Sequence, residues 1–239
     1  MTSNNITAAQ VETREVLKNS FVWMTLGLIL TAIVAWLVGQ SSSIMDIATA
    51  RPVTSLVALG VWAILGLGFG WLVRHIPFLV GVILFLLYSA FTGLTLSWIF
   101  QVYTDATILY ALGSVVGLFV VISLFALLTK IDLTRWWVYI LFALLGLLIA
   151  GVLNLLLFRS ETLNFLFSVA GVIIFSISTG ASVQKIAKME AELAPRLHNR
   201  AAIIGAMMLY TNFINLFLRL LEIYARAQEQ GKEKESQAK

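Results

Sequence analysis

Apolar residues in this chain are gathered into long blocks rather than scattered. Seven runs stand out, at 17–38, 54–73, 78–100, 107–128, 136–158, 163–182 and 201–223. Each is near the length of about 20 residues that a helix needs to cross a bilayer. Inside hydrocarbon every backbone N–H and C=O must find a partner within the segment, which favours helix throughout. The connections are mostly short, so sequence neighbours are expected to be antiparallel neighbours in space. The exception is 183–200, which is charged and contains Pro195. The predicted fold is an all-α integral membrane protein: seven transmembrane helices, with antiparallel hairpins around a central last helix. Residues 1–16 read as a polar N-terminal tail, 17–224 as the membrane domain and 225–239 as a disordered charged tail.

The last run carries the polar signal. Its sequence over 201–224 is AAIIGAMMLYTNFINLFLRLLEIY. At about 100° per residue, Asn212, Asn215, Arg219 and Glu222 fall within an arc of roughly 80°. Gly205 and Met208 continue that face. Amides and charges are costly in hydrocarbon, so the stripe is expected to face protein or water. Two amides one turn apart ask for partners on another helix. Arg219 and Glu222, three residues apart, can pair along their own helix or snorkel to the interface.

Composition agrees with a membrane domain. Of the 239 residues 60% are hydrophobic and only 12% charged, against about 25% charged in ordinary soluble domains. The absence of cysteine excludes disulfides, thiolate metal ligands and cysteine catalysis. Two histidines, His75 and His198, make no zinc site. No metal or other cofactor is expected. The net charge of +4 reads as cytoplasmic loops rather than a nucleic-acid surface.

Basic residues near the run ends orient the chain. Arg14, Lys18, Arg74, Lys130, Arg135, Lys185, Lys188, Arg196 and Arg200 collect on one side; Arg51 and Arg159 fall on the other. The N-terminus is therefore expected in the cytoplasm. Seven crossings would put the C-terminus outside, against the basic residues of the tail; a re-entrant last segment would keep both ends inside. Trp71, Trp98, Tyr103, Trp136, Trp137 and Tyr224 mark run ends, as interfacial belts do. The glycine pairs Gly66/Gly70 and Gly113/Gly117 are candidate close helix contacts.

Other polar positions in the runs are Tyr88, Thr92 and Thr95; Asn154; and Ser176, Ser178, Thr179 and Ser182, followed by Gln184 and Lys185. Serine and threonine ordinarily bond their own helix or hold helices together. No metalloprotease, nucleophile-elbow, phosphate-loop or dinucleotide motif is present, and intramembrane carboxylates are nearly absent, so no enzyme is expected.

Four segments resemble the Bax inhibitor-1 family. AMMLYTNFINLFLRLL (206–221) resembles its last-helix signature and LYSAFTGLTLS (87–97) its third-helix motif. TKIDLT (129–134) resembles its TKxDLS loop, and GASVQKI (180–186) the segment after its sixth helix. The four motifs occur in the family's order, and the resemblance runs over about 21–223. The resemblance implies hairpins wrapped around a central last helix. It also implies a pH-sensitive calcium leak in some members, with stress protection or membrane-protein quality control in others. The family commonly places one aspartate in the sixth helix and one in the seventh, gating the pore by shared protonation. Here those positions match Ser182 and Asn212, neither of which titrates near neutral pH. The expected function is a cation (calcium) leak protein whose pH-gated flux is lost or altered. The alternative is a non-conducting interaction protein that modulates a membrane protease or another membrane protein. The candidate site residues are Ser182, Asn212, Asn215, Arg219, Glu222, Thr179 and Asn154. The expected surroundings are the lipid bilayer of a bacterial inner membrane, with calcium or another cation as cargo.

Overall fold

The computed structural model describes residues 15–40, 69, 72, 73 and 75–237, excluding the side chains of 190, 191 and 232–237. The described residues are mostly helical, with no strand among them. In chain order they form α1 (Glu15–Gly39), α2 (Phe78–Leu96), α3 (Ile99–Val102), α4 (Asp105–Leu128), α5 (Trp137–Leu153), α6 (Glu161–Glu192) and α7 (His198–Gln237). Among the described residues six stretches are long and apolar enough to cross a membrane: Glu15–Gly39, Phe78–Val102, Asp105–Leu128, Leu133–Phe158, Glu161–Met189 and Pro195–Gly231. The run expected at 54–73, with Gly66, Gly70 and Trp71, lies outside the described residues apart from 69, 72 and 73.

Burial separates these stretches. Only 17% of the Leu133–Phe158 window is buried, against 72% for Pro195–Gly231. Large side chains such as Val138, Phe142, Leu148 and Leu156 are more than half exposed. Contiguous apolar surface of this kind is untenable in water and suited to acyl chains. The last helix is the opposite case, and carries Ile203, Leu209, Tyr210 and Leu216 fully buried.

Two compact units divide the chain. The first comprises Met1–Val102 and Lys185–Thr211. Within it, α1 buries Val16, Ser20, Met24, Gly27, Thr31 and Ala35, one residue per turn on one face, and packs along α2. Missing side chains make that approach possible. A Cβ on Gly93 would sit 2.5 Å from the Thr31 carbonyl oxygen, and one on Gly27 2.6 Å from the Phe85 ring. Thr31 donates to the Gly27 and Ser89 carbonyls, each at 2.9 Å, and its oxygen lies 2.6 Å from the Tyr210 hydroxyl. One proton cannot serve all three, so Tyr210 is the donor in that last bond. Phe85 and Tyr88 meet the Tyr210 ring edge-on. Ser20 donates to Ala202 O at 3.1 Å, against the bare backbone of Gly205.

The second unit comprises Tyr103–Gln184 and Asn212–Lys239. Thr104 caps α4 by accepting from Thr107 N, with Asp105 in the first turn complementing the helix dipole. Asn154 organises the end of α5. The helix widens into a π turn over Asn154–Phe158 and stops at Arg159, whose φ of 49° is left-handed. Asn154 Oδ1 accepts from Ser160 N, while Nδ2 donates to Ser160 O at 3.0 Å and to Asn164 Oδ1 at 2.6 Å. Asn154 thus belongs to the α5–α6 turn. It is separated from Ser182 by 18 residues of α6 beyond Asn164, roughly 27 Å.

Three expectations are corrected. The segment 183–200 is not one long loop: α6 continues to Glu192. Val183 and Ile186 are fully buried there, and the Gln, Lys, Ala, Met and Glu residues of 184–192 are good helix formers. The break comes at Ala194, extended because Pro195 follows it. Likewise the chain does not become irregular at 225; α7 runs on to Gln237. No proline interrupts its Ala-, Gln-, Glu- and Lys-rich end, and the helix continues. The pair Gly113/Gly117 makes no close contact among the described residues; a Cβ on either would meet nothing within 4 Å.

Replacing Gly93 by valine forces a side chain against backbone, so thermal denaturation in detergent should show a loss of about 1–3 kcal/mol or more. Asn154→Ala strips a buried turn of its bonds, and the same assay should show about 1–3 kcal/mol.

Candidate functional site

The polar stripe of α7 lies against α6 on one antiparallel register. At Asn212 the partners are Ser178 and Ser182; at Arg219 it is Gly171; at Glu222, Ser168; at Arg226, Phe165 and Glu161. The α6 partners Ser168, Gly171, Ser178 and Ser182 recur at helical spacing, so two complementary stripes meet. Attention to the last few residues of the sixth run leaves Ser168 and Gly171 unnoticed. Their period was the available signal.

The stripe begins with a neutral latch. Ser178 Oγ donates to Asn212 Oδ1 at 3.1 Å, and Asn212 Nδ2 donates to Ser182 Oγ at 3.0 Å. All three residues are buried, Ser182 at 1% and Asn212 at 5% exposure. One amide thus joins two successive turns of α6. The sequence-predicted pair Ser182 and Asn212 is brought together as expected. Thr179 does not join them. It is fully buried and donates to Phe175 O in its own helix. Asn215, one turn on, is half-buried.

Charges enter further along. Arg219 Nη1 lies 3.7 Å from Glu222 Oε2, the intrahelical pair that their spacing allows. The guanidinium stem rests in the notch left by Gly171, where a Cβ would be 3.0 Å from Arg219 Cγ and Cδ. Glu222 also accepts from the buried hydroxyl of Ser168. Arg226 donates to the Glu161 carbonyl, and its guanidinium carbon stands 5.1 Å above the Phe165 ring. Between the α3 and α4 segments, burial and then the Glu222 and Glu229 carboxylates push the Tyr103 phenol above its usual range. Tyr103 is therefore a neutral hydroxyl beside the Glu222 and Glu229 carboxylates.

The segment 129–134 is clamped by Gln184, a second feature that sequence reasoning had not given a role. Gln184 Oε1 accepts from Leu133 N at 2.7 Å, and Nε2 donates to Ile131 O at 2.8 Å and Ala126 O at 3.0 Å. Leu133 in turn fills the space over Gly180, where a Cβ would come within 2.8 Å of its Cδ1. Asp132 holds the loop turn by accepting from Thr134 N and pairs with Arg135 at 3.4 Å. Two of the segments that carried the family resemblance, TKIDLT and GASVQKI, are thus one structural unit. Among the described residues no three of His, Cys, Asp and Glu gather as a metal site would require.

Comparison with known proteins bears on the family of the chain. A family model described as "Inhibitor of apoptosis-promoting Bax1" matches residues 13–229. An uncharacterized protein of Borreliella burgdorferi is 36% identical over 218 residues, covering 88% of this chain and 94% of its own. The protein called Inner membrane protein YbhL in Escherichia coli K12 is 37% identical over 205 residues, covering 84% of this chain and 87% of its own. A Streptococcus pyogenes protein called an uncharacterized membrane protein is 33% identical over 143 residues, 60% of this chain and 62% of its own. With its apolar helices and the family match over nearly its whole length, the chain belongs to the Bax inhibitor-1 family of integral membrane proteins.

Proposed function

We propose that this chain is a seven-helix inner-membrane protein with a cytoplasmic N-terminus, built as hairpins around its last helix, and that it passes cations such as calcium without a proton switch. The observation that carries this reading is the Asn212–Ser182 hydrogen bond of 3.0 Å. The family resemblance places a pair of carboxylates at these two positions. Two buried carboxylates at such range share a proton and titrate together. An amide and a hydroxyl make the same contact across the physiological range and cannot be pulled apart by deprotonation. They also take away two negative charges that a hard cation prefers. The contact between the helices is retained and its pH dependence is removed.

A second reading is favoured by α7 itself. Its 40 residues span about 60 Å at 1.5 Å per residue, twice the roughly 30 Å of hydrocarbon. The charged end is then a helical arm suited to a partner such as a membrane protease, with no conduction required.

In liposomes loaded with a calcium indicator, the native chain should give flux that changes little between mildly acidic and mildly alkaline buffer. Ser182→Asp combined with Asn212→Asp should introduce a rise in flux with pH. The sign follows from burial and like charge, which raise one carboxyl pKa above its unfolded value. The folded state then holds the extra proton, and stability falls as pH climbs from the unfolded toward the folded pKa. A double variant with flux and stability both flat in pH would contradict the shared site. In-membrane crosslinking from the 225–237 arm tests the second reading; capture of a specific partner by a chain that conducts nothing would favour it.

A further inference from the structure

Charge is confined to one place in the apolar part of the second unit. Its stretches at 106–128, 136–158, 162–182 and 212–225 contain two charged residues in all, Arg219 and Glu222. Neither is level with the end of α6. Ser168, which bonds Glu222, comes seven residues after Glu161, and Gly171, which receives the Arg219 stem, comes ten after it. At 1.5 Å per residue these lie roughly 10 and 15 Å along the helix, the second about half the depth of a 30 Å hydrocarbon layer. Ionisable groups so placed are costly and point to function.

The pair is held unevenly. The Arg219 stem is fixed in its notch: a Cβ on Gly171 would be 3.0 Å from Arg219 Cγ and Cδ and 3.1 Å from Nε. The head is held more loosely. Arg219 Nη1 stands 3.7 Å from Glu222 Oε2, an ion pair but longer than the roughly 2.7–2.9 Å of a charge-assisted hydrogen bond. The Ser168 hydroxyl donates to that same oxygen. Glu222 Oε1 has no hydrogen-bond partner among the described residues. About a third of each side chain is exposed, 31% for Arg219 and 34% for Glu222. The Tyr103 phenol, in the short connection before α4, is close enough to feel the Glu222 charge. The carboxylate is therefore within reach of this end of α6 and α7.

We propose that Glu222 is the cation-binding carboxylate of the α6–α7 stripe and Arg219 a tethered cation that occupies it, so that a mobile ion binds only by displacing the guanidinium. With the latch neutral, Glu222 is the one anionic ligand the stripe retains between Asn212 and Arg226. Displacement favours a divalent ion such as calcium over potassium, because the attraction to a carboxylate doubles with the charge. Glu222 and the Ser168 oxygen supply two or three ligands, and water the rest. So few protein ligands make a weak site, a station for a passing ion and not a resident metal centre. That suits passage, since an ion must also leave. The assignment rests on the cation reading for its part in passage, and its test reads binding separately.

The full chain in nanodiscs of neutral phosphatidylcholine provides the test, with the rise in unfolding temperature on adding calcium as the measure of binding. The native chain should respond to calcium and not to potassium at equal ionic strength. Glu222→Gln should abolish the response. Arg219→Gln removes the competitor and should lower the half-saturating calcium concentration by about five-fold or more. Arg219→Lys keeps the charge and should stay within about two-fold of native. An arginine with a purely structural part gives weaker binding on removal, or no change. The site is overturned by a native chain that ignores calcium or answers potassium equally. It is also overturned by a response that survives Glu222→Gln, by Arg219→Gln binding no tighter, or by Arg219→Lys behaving like Arg219→Gln. Should Arg219→Gln fail to fold, Arg219→Met, which still fills the Gly171 notch, makes the same comparison. Calcium flux in liposomes is scored apart: a chain that binds as described but passes nothing keeps the site and overturns the passage of cations.

Discussion

A carboxamide withdrawn from water is the constraint around which the second unit is arranged. Asn212 is buried in the membrane-spanning stretch of α7, where an unbonded amide costs several kcal/mol in hydrocarbon. The cost is offset by α6, which presents Ser178 and Ser182 one turn apart to bond the amide at both ends. Once that pair is set, α6 and α7 can lie side by side in only one register. Gly171 then falls opposite Arg219, and Ser168 opposite Glu222. Apolar packing alone would not choose this alignment, because leucine against leucine is nearly as good one turn away.

The first unit solves a related problem with hydroxyls and absent side chains. The Thr31 and Ser20 hydroxyls donate to the Ser89 and Ala202 carbonyls across helices that glycines allow to come close. In a bilayer such contacts replace the hydrophobic effect, which drives little helix association where the solvent is itself apolar. The exposed faces of α4 and α5 need no such device, since their surroundings are lipid.

Much of this could be read from the chain. Long apolar blocks gave the helices, and the 3.6-residue period singled out the buried stripe of α7. The meeting of Ser182 and Asn212 was legible through the family resemblance. What escaped was of two kinds. Helix ends were misplaced where hydropathy fell but helix propensity did not, as at Val183–Glu192 and beyond Tyr224. Partner choice was misjudged where one residue type serves several purposes. Asn154 carried the same amide as Asn212, but its neighbours Ser160 and Asn164 drew it into a local turn. Gly113 and Gly117 had the spacing of a contact pair, while the glycines that do pack, Gly27, Gly93 and Gly205, lack that spacing. Which glycine meets a neighbour depends on helix rotation, and local spacing does not determine that.

The long antiparallel match of α6 with α7 also limits how the gene can change. Single substitutions along it disturb one rung each. Loss or gain of one codon between 161 and 182, or between 212 and 226, turns the rest of that helix by about 100°. Every later rung would then face away from its mate. Variation in length among descendants of this chain should therefore accumulate in the connections and the termini, leaving these two stretches constant in residue count even where their composition drifts.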